Sequence, residues 1–222
     1  MEKIFDNVYM KRFFYFNVYV IKGKCGDILI DTGFICMRKS LKKWLDSFNI
    51  KLIILTHAHI DHTWNVAYLK KIYNCDVAIG CLDFENIDNS KIKSQASKRR
   101  YKLWTKLMNW GMRKFVPEKF VVDITLKDNQ IINKYGIKLR VVNLSGHTRG
   151  SIGIIYKDYL FAGDALVNRS INHVDTAYQN QDNESAKESG LKILEISSKV
   201  IFVGHDREIY LDKLKKSIDY IK

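Results

Sequence analysis

Hydrophobic residues occur along the chain in short runs, and several of these runs end at a glycine, an aspartate or a histidine. The runs NVYVI, CGDILIDTG and KLIILTHAH are rich in isoleucine, valine and leucine, which is typical of short strands. Between the last two, Leu41, Trp44 and Phe48 recur at spacings of three and four residues, which predicts an amphipathic helix. TWNVAYLKKIYN predicts a second helix, and CDVAIG predicts another strand. This alternation is typical of an α/β layer.

The second half of the chain predicts more strands before it returns to helices. ITLKDNQIINKYGIKLRVVNLSGH has the composition of strands, and SIGIIYKDYLFAGDAL predicts a hairpin that turns at Lys157-Asp158. Helices are predicted over about 184–197 and about 208–221, on either side of the strand in KVIFVGHD. There is one proline and no flexible linker. We therefore expect one domain over 1–222, in which two packed sheets carry helices on the outside.

The composition, with 46% hydrophobic and 27% charged residues, is that of a globular protein. Lys11, Arg12 and Asn17 interrupt the apolar N-terminal stretch, so no signal peptide is predicted, and no run of about 18 apolar residues predicts a transmembrane helix. The four cysteines show no CxxC spacing and are expected to be free and buried as small hydrophobic residues. These features predict a cytoplasmic protein and leave its oligomeric state open.

The net charge of +13 is concentrated in one segment, because nine Lys or Arg and no Asp or Glu lie between Asn89 and Lys114. Within it, aromatic residues and methionines recur every three or four positions, which predicts a basic helical insertion over about 89–118. Three interpretations remain open: a solvated surface helix, a lid or clamp over an anionic substrate, and a surface for nucleic acid or a membrane. The candidate substrate or lid residues are Lys98, Arg99, Arg100 and Trp104.

Half of the six histidines lie in the single stretch THAHIDH, residues 56–62. Two more histidines and two aspartates each follow a predicted strand, where side chains from different strands can converge on one edge of a sheet. These residues are Asp31, His147, Asp164 and His205. Imidazole and carboxylate together suit zinc, iron or manganese better than calcium or magnesium, which prefer oxygen ligands alone. The set therefore predicts a metal site.

The spacing within THAHIDH divides the candidate ligands between two divalent ions, for which we favour zinc over iron or manganese. His57 and His59 are two residues apart and point the same way if the backbone is extended. Asp61 and His62 follow only after the chain has turned. The first ion is expected to bind His57, His59 and His147, and the second Asp61, His62 and His205, with Asp164 bridging them.

The order of the motifs LIDTG, THAHIDH, GHT, GDA and GH closely resembles the metallo-β-lactamase superfamily of hydrolases, from NVYVI to VGHD. The resemblance implies a four-layer αββα sandwich with a dinuclear metal site at one edge of its sheets. It also implies a supporting role for Asp31, whose carboxylate can accept the outer N–H of a ligand histidine. One departure is Asp206, which follows the last ligand where the superfamily often has glycine.

Two neighbouring divalent ions can lower the pKa of a bound water towards neutrality and so supply a hydroxide as the nucleophile. Asp61 is the candidate catalytic residue, because it could orient this nucleophile and pass on its proton. No Gly-x-Ser-x-Gly or Cys–His signature favours a covalent route. The sequence therefore predicts a metal-dependent hydrolase.

The resemblance narrows the substrate only in part. Asp164 argues against the β-lactamase branch, which lacks a bridging aspartate. The ligand set matches glyoxalase II-like and lactonase-like members best, but only 17 residues follow His205, too few for a full glutathione-binding module. Val167 replaces the tyrosine that the lactonases place three residues after the bridging aspartate. We expect a small-molecule substrate with an ester, thioester or lactone bond. The basic segment would also suit a substrate that carries negative charge.

Two other activities are compatible with the same ligands. The first is a phosphodiesterase or nuclease that acts on an anionic substrate or RNA bound by the basic segment. The second is an iron-dependent oxygenase of the same fold. His173, nine residues after Asp164, is a candidate additional acid or base, or else an ordinary loop residue.

Overall fold

The chain begins with four consecutive strands, and strands then alternate with helices up to residue 80. A computed structural model describes residues 2–87, 93–115, 117–170 and 173–221. The strands are β1 (Glu2–Phe5), β2 (Val8–Phe13), β3 (Phe16–Ile21), β4 (Asp27–Ile30), β5 (Ile50–Leu55), β6 (Asp76–Gly80), β7 (Gln95–Ala96), β8 (Ile124–Leu126), β9 (Ile131–Lys134), β10 (Ile137–Asn143), β11 (Ile152–Tyr156), β12 (Tyr159–Gly163), β13 (Val167–Ser170), β14 (His173–Asp175), β15 (Gln179–Asn180), β16 (Val200–Val203) and β17 (Ile209–Tyr210). The helices are α1 (Arg38–Leu45), α2 (Ile60–Thr63), α3 (Val66–Tyr73), α4 (Lys102–Lys114), α5 (Asn183–Ile196), α6 (Leu211–Lys216) and α7 (Ile218–Ile221).

Two large sheets dominate the architecture. The first has seven strands in the order β1-β2-β3-β4-β5-β6-β8, and the second has six in the order β17-β16-β12-β11-β10-β9. The first sheet is antiparallel from β1 to β4 and parallel from β4 to β8. In the second sheet, β12 and β16 are parallel. The remaining strands form two short pairs, β13 with β14 and β7 with β15.

The main core lies between the two sheets, and alternate residues of each strand face it. Ile28 and Ile30 of β4 pack in this core together with Phe161 and Phe202 of the second sheet. Leu29, between the two isoleucines, points to the opposite face, as the two-residue period of a strand requires. Because both sheets share this core, we propose that residues 1–222 form the single domain that the sequence predicts.

Helices cover the outer face of each sheet. Leu41 of α1 and Leu69 of α3 pack on the first sheet, and both are fully buried. Ile193 of α5, Leu214 of α6 and Ile221 of α7 pack on the second sheet. Each buried leucine or isoleucine contributes about 1.5–3 kcal/mol relative to an exposed one. The resulting helix–sheet–sheet–helix order confirms the predicted αββα sandwich.

Three details differ from the sequence-based expectations. The first helix ends at Leu45, before the predicted turn that carries Phe48. The closing helix begins only at Leu211, because the two preceding residues pair with β16 as strand β17, and it is interrupted at Ser217. The cysteines are all free, but only Cys75 is buried. The other three lie in loops or turns that leave them exposed, so the expectation of burial was wrong for Cys25, Cys36 and Cys81.

The predicted basic insertion contains a 3₁₀ turn, Arg99–Tyr101, that leads directly into α4. Residues 89–92 and 116 of the predicted range, which include Lys91, lie outside the described residues. Among the helices in the described part of the chain, none is long and apolar enough to cross a membrane.

Candidate metal centre

Seven side chains from four segments of the chain meet where the strands end. His57 and His59 follow β5, Asp164 directly follows β12, and His205 closely follows β16. In three groups the candidate ligand atoms lie within 4.8 Å of one another: His57, His59 and His147; His57, His62 and Asp164; and Asp61, His62 and His205. The structure thus brings together all seven residues that the sequence predicts as metal ligands.

The carboxylate of Asp164 lies between the two predicted ligand groups. Its Oδ2 is 3.5 Å from Nε2 of His147 and 3.0 Å from Nε2 of His205. Its Oδ1 is 3.4 Å from Nε2 of His62. One carboxylate therefore touches candidate ligands from both groups, as a bridging residue must.

The local backbone explains why one short stretch serves both groups. His59 has an extended conformation, with φ −65° and ψ 149°, and α2 begins at the next residue. The chain thus reverses direction between His59 and Asp61. Thr32 fixes this turn, because its backbone N–H and its hydroxyl donate to the carbonyl of His62 at 2.8 and 2.7 Å.

Two glycines make room for this arrangement. A Cβ at Gly204, directly before His205, would lie 2.2 Å from Oδ1 of Asp164. Gly163, directly before Asp164, has φ +52°, and a Cβ there would lie 2.5 Å from Oγ1 of Thr56. The glycines in the GD and GH motifs are therefore required by close approach.

Main-chain carbonyls determine the tautomers of two histidines. Nδ1 of His147 lies 2.9 Å from the carbonyl oxygen of Gln179, and Nδ1 of His205 lies 3.0 Å from that of Tyr15. A carbonyl oxygen can only accept a hydrogen bond, so both Nδ1 atoms carry a proton. When these rings are neutral, Nε2 is the nitrogen with the free lone pair, and it points towards Asp164.

Asp31 and Thr56 orient two further rings. Asp31 accepts hydrogen bonds at 2.8 Å from the backbone N–H and the hydroxyl of Thr56 and from Nδ1 of His62. The hydroxyl of Thr56, which donates to Asp31, lies 3.1 Å from Nδ1 of His57 and accepts from it. The outer nitrogens of His57 and His62 are thus occupied, and both Nε2 atoms face inwards.

The inward atoms fit a metal ion, because several of them are buried polar atoms without a partner. Among the described residues, Nε2 of His57, Nε2 of His62 and Oδ1 of Asp164 have no hydrogen bond. Nδ1 of His59 lies only 2.7 Å from Nε2 of His147, whose lone pair faces it. Unpaired buried polar atoms are costly, and a set of imidazole nitrogens and carboxylate oxygens matches the ligand preferences of zinc, iron or manganese.

The electrostatics differ between the two groups. Burial, reinforced by neighbouring histidines, lowers the pKa of His57 far below its usual value and the pKa of His59 to about 3. Burial also lowers the pKa of His147. All three rings are therefore neutral and offer lone pairs.

In the second group, carboxylates and histidines stabilise each other's charged forms. Burial opposes ionisation, but His205 and His62 outweigh it and hold the pKa of Asp164 well below its usual range. Conversely, Asp164 outweighs burial and raises the pKa of His205 to about 10. The two carboxylates of this group, Asp61 and Asp164, thus favour positive charge between them, which protons or a divalent cation can supply.

A cavity of about 500 Å³ opens onto this cluster. One wall comes from the β2–β3 turn and the loop after β4, and the other from α4 and the segment before α5. The lining residues are Tyr15, Phe16, Phe34, His59, Ile60, Asp61, Trp104, Met108, His147, Asp164, Val167, Ala177, Tyr178, Gln179, His205 and Asp206. Apart from the metal-centre residues, Gln179 and Asp206, the described lining is apolar or aromatic.

The chain is similar in sequence and in fold to known proteins. The model of the metallo-beta-lactamase superfamily matches residues 13–205, which include the whole cluster. The chain belongs to the metallo-beta-lactamase superfamily. Among solved members of comparable fold, a metallo-beta-lactamase from Pontibacter korlensis superposes with a TM-score of 0.71 at 18% identity, covering 99% of this chain and 96% of that one. A metallo-beta-lactamase family protein from Thermus thermophilus has a TM-score of 0.70 at 19% identity, covering 96% and 77%.

Sequence relatives within the superfamily are similar over most of this chain. A probable metallo-hydrolase of Methanocaldococcus jannaschii is 31% identical over 68% of this chain and 66% of its own length. Hydroxyacylglutathione hydrolase 1 of Vibrio vulnificus is 27% identical over 89% and 64%, and a human acyl-coenzyme A thioesterase 27% over 70% and 60%. The chain thus spans slightly less than two thirds of the length of these relatives.

One buried carboxylate of this superfamily member was missed by the sequence analysis. Asp83 is fully buried and accepts hydrogen bonds from the backbone N–H of Ala58 at 2.9 Å, the hydroxyl of Thr148 at 2.6 Å and the backbone N–H of Gly150 at 2.9 Å. Ala58 lies between two candidate ligands, and Thr148 directly follows a third. Asp83 therefore ties together two loops of the metal centre. No motif marks it, because its partners lie far away in the sequence.

The predicted substrate residues have different positions. Trp104 lines the cavity, whereas Lys98 pairs with the buried carboxylate of Asp175. Arg100 lies over the ring of Tyr101 at 4.9 Å, and Arg99 is exposed. The ring of His173 stacks on Tyr220 at 4.0 Å and also faces Asp175. Of these five candidates, only Trp104 is among the described lining residues.

The aromatic lining was also not predicted. Tyr15 and Phe16 belong to the run FFYF at the β2–β3 turn, and Tyr178 precedes the short strand β15. Four consecutive aromatic residues at a turn are a signal that could have marked this wall, because turns leave such side chains near solvent.

Proposed function

We propose that the protein is a metal-dependent hydrolase that cleaves a small-molecule thioester or ester with an apolar acyl group. The observation that carries this proposal is the position of Asp164, between the two ligand groups and at the base of an apolar cavity. A shared carboxylate of this kind supports a centre of two ions.

We propose the division of ligands that the sequence predicts. His57, His59 and His147 would hold one ion, Asp61, His62 and His205 would hold the other, and Asp164 would contribute to both. When bound, two divalent ions supply an activated water at neutral pH and a Lewis acid for the oxygen of the bond that is cleaved. The nitrogen-rich ligand set favours zinc, iron or manganese over calcium or magnesium.

Asp61 is the residue that we propose for proton handling. Its Oδ2 lies 3.3 Å from Nε2 of His205, and its side chain remains partly exposed in the cavity. His62 and His205 outweigh the effect of burial and lower the pKa of this carboxyl, so Asp61 is ionised at neutral pH. It can therefore accept a hydrogen bond from a water, orient it and pass its proton on to solvent in the cavity, because a carboxyl with a lowered pKa does not keep a proton at neutral pH.

The cavity lining supports an apolar acyl group. Phe34, Ile60 and Met108 lie beside the cluster, and no Lys or Arg occurs among the lining residues that the structure describes. Gln179 lines the same cavity, and its side-chain oxygen is buried without a partner. This oxygen is a candidate acceptor for a substrate N–H or O–H group. The names of the two relatives, an acyl-coenzyme A thioesterase and a hydroxyacylglutathione hydrolase, support a thioester.

The phosphodiesterase alternative is less well supported. The two ions could themselves hold one phosphodiester, but a nucleic acid carries further phosphates that need cations along the cavity wall. Lys98 pairs with Asp175, and no Lys or Arg occurs among the described lining residues. A lactone remains compatible with the same ligands and belongs in the same substrate panel.

The experiment is metal analysis of the purified protein followed by a panel of thioesters of increasing acyl length, lactones and a bis-aryl phosphodiester. We expect thioester or ester hydrolysis that a chelator abolishes and zinc, iron or manganese restores. Asp164→Asn should lower both activity and metal content, whereas Asp158→Asn, at the exposed β11–β12 turn, should change neither. Fewer than about 1.5 metal ions per chain after reconstitution, or hydrolysis of the phosphodiester alone, would contradict the proposal.

A further inference from the structure

Helix α4 exposes an unusual number of large apolar side chains. Leu103 is 71% exposed, Leu107 56% and Trp110 62%. Their spacing of four and three residues places them in one stripe along the helix. The stripe faces away from the sheets, which do not cover it.

The opposite side of α4 contributes little packing. Among its described side chains, only Thr105 is buried, while Met108 and Asn109 are half-buried. The side chain of Asn109 holds the helix to the preceding segment through hydrogen bonds with both the N–H and the carbonyl of Ser94, at 3.1 and 2.9 Å. A helix of 13 residues usually gains most of its stability by burying its apolar face. Here that face is exposed on the surface of the chain, which indicates that it contacts another molecule.

Cations flank this stripe. Lys102 and Lys106 each directly precede a leucine of the stripe, and Arg99 and Arg100 lie in the turn before the helix; all four are exposed. No Asp or Glu occurs between residues 89 and 114. Leucine and tryptophan on one face, with Lys and Arg beside them, form the pattern of a helix that lies in the surface of an anionic membrane.

A second element adds exposed aromatic residues at the same place. Phe14 and Tyr15, in the turn between β2 and β3, are 77% and 70% exposed. Tyr15 and Trp104 of α4 line the same cavity. One exposed aromatic side chain from each of two separate elements therefore lines this cavity, and another exposed apolar side chain lies next to each of them in the sequence.

We propose that these residues form a docking surface for a bilayer that contains anionic phospholipids. This docking surface consists of Phe14, Tyr15, Leu103, Trp104, Leu107 and Trp110, with Lys102 and Lys106 beside them. The mouth of the cavity then faces the bilayer, and an amphiphilic substrate can enter without exposing its acyl chain to water. The entry of a substrate from the bilayer rests on the proposed function, but the docking itself does not.

A bilayer fits the surface better than RNA or a second copy of the chain. The side chains of Leu103 and Leu107 have no π face on which a base could stack. A symmetric dimer through this surface would place Lys102 and Lys106 of one copy near the same residues of the other, because such an interface uses the same patch twice. Anionic headgroups instead complement these charges.

The test is co-sedimentation of the full chain with vesicles of phosphatidylcholine alone or mixed with phosphatidylglycerol at roughly three to one. We expect binding to the mixed vesicles that weakens as salt is added, and much weaker binding to phosphatidylcholine alone. Of the four tryptophans, Trp104 and Trp110 are exposed, so binding should shift the fluorescence to shorter wavelength and brominated lipids should quench it.

Variants separate the apolar and the electrostatic contributions. Leu103→Ser with Leu107→Ser should weaken partitioning into both kinds of vesicle at least about tenfold. Lys102→Gln with Lys106→Gln should cost about fivefold for each lysine on the mixed vesicles only. The matched control is Lys71→Gln with Ile72→Ser, an exposed pair on α3, which should change neither.

Several outcomes would overturn the proposal. The first is that the protein does not bind the mixed vesicles at low salt, and the second is that the folded leucine variant binds them as well as the wild type. The third is that single-stranded RNA displaces the protein from vesicles with an affinity that does not depend on the leucines. The fourth is a dimer that the leucine variant abolishes, in a protein that does not bind vesicles. Asp164→Asn should bind vesicles like the wild type, so a failure of docking is distinguishable from a failure of the hydrolase proposal.

Discussion

Oδ2 of Asp31 lies 2.8 Å from Nδ1 of His62, with both side chains fully buried. This contact joins the end of β4 to the second ligand group. The same carboxylate also accepts two hydrogen bonds from Thr56. We propose that Asp31 supports the metal centre through these hydrogen bonds, because a carboxylate that accepts the outer N–H of a ligand histidine fixes the orientation of the ring.

Asp31→Asn should weaken metal binding with little change in overall structure. An amide offers one acceptor oxygen where the carboxylate has two, so at least one of the donors from Thr56 or His62 loses its partner. We expect metal affinity to fall about 10–100-fold, measured by competition with a chromophoric chelator. The matched control is Asp27→Asn, a buried aspartate at the start of β4 whose carboxylate accepts, within the described part of the chain, from the N–H groups of Gly23 and Asn49. Equal loss of metal affinity in both variants would contradict this role for Asp31.

Metal removal should destabilise the whole protein. The inward atoms of His57, His62 and Asp164 are buried without hydrogen bonds, so an ion that binds only the folded state stabilises it by mass action. At a free metal concentration of 100 times Kd, the gain is about 2.7 kcal/mol, or a rise in Tm of about 5–10 °C for a chain of this length. Scanning calorimetry with zinc and with chelator measures this rise in Tm. Identical Tm values would argue against a metal bound to this cluster.

Asp83→Ala should lower the free energy of unfolding by about 3 kcal/mol or more. The change leaves the buried N–H groups of Ala58 and Gly150 without an acceptor, and it leaves the hydroxyl of Thr148 with Ser151 as its remaining partner among the described residues. Each unpaired donor costs about 1–3 kcal/mol. Urea unfolding measures the loss. Asp83→Asn keeps one acceptor oxygen and should fall between the wild type and the alanine variant; a neutral Asp83→Ala would show that the two ligand loops hold their positions without this carboxylate.

Asp182→Ala should destabilise the protein in a pH-dependent manner. Asp182 caps the N-terminus of α5 by accepting from the N–H groups of Glu184 and Ser185, and the hydrogen bonds from Ser185 lower its pKa. Because the folded-state pKa is depressed, this stabilisation is present above the unfolded value of about 3.9 and is lost as pH falls through the folded one. We expect a loss of about 1 kcal/mol at pH 7 that shrinks in acid. Asp182→Asn, which retains the cap without the charge, should show no such dependence.

The cluster of candidate ligands could be predicted because its residues lie in short, recognisable sequence motifs. THAHIDH places four candidate ligands in seven consecutive residues, and glycine precedes each of the three remote ligands His147, Asp164 and His205. The αββα architecture could be predicted from the order of strands and helices that the spacing of hydrophobic residues indicates. Asp83 could not be predicted, because a buried carboxylate looks like any other aspartate until its partners from residues 58, 148 and 150 are known.

The closing helix shows a different limit of the sequence. Ile209 and Tyr210 were expected to be helical, but the edge of the second sheet recruits them as β17. Tertiary pairing outweighs local helix preference in such short segments. The cavity wall could not be predicted for the same reason, because Tyr15 and Tyr178 come from turns that are far apart in the sequence and meet only in the folded chain.

The rings of His147 and His205 are oriented by the main-chain carbonyls of Gln179 and Tyr15, two residues whose side chains line the cavity. In the described part of the chain, the hydrogen bonds to both Nδ1 atoms come from the main chain and not from a side chain. Substitutions at these two positions can therefore change what the cavity accepts while the imidazoles stay aligned. A designer who wishes to alter the substrate can therefore begin with residues 15 and 179.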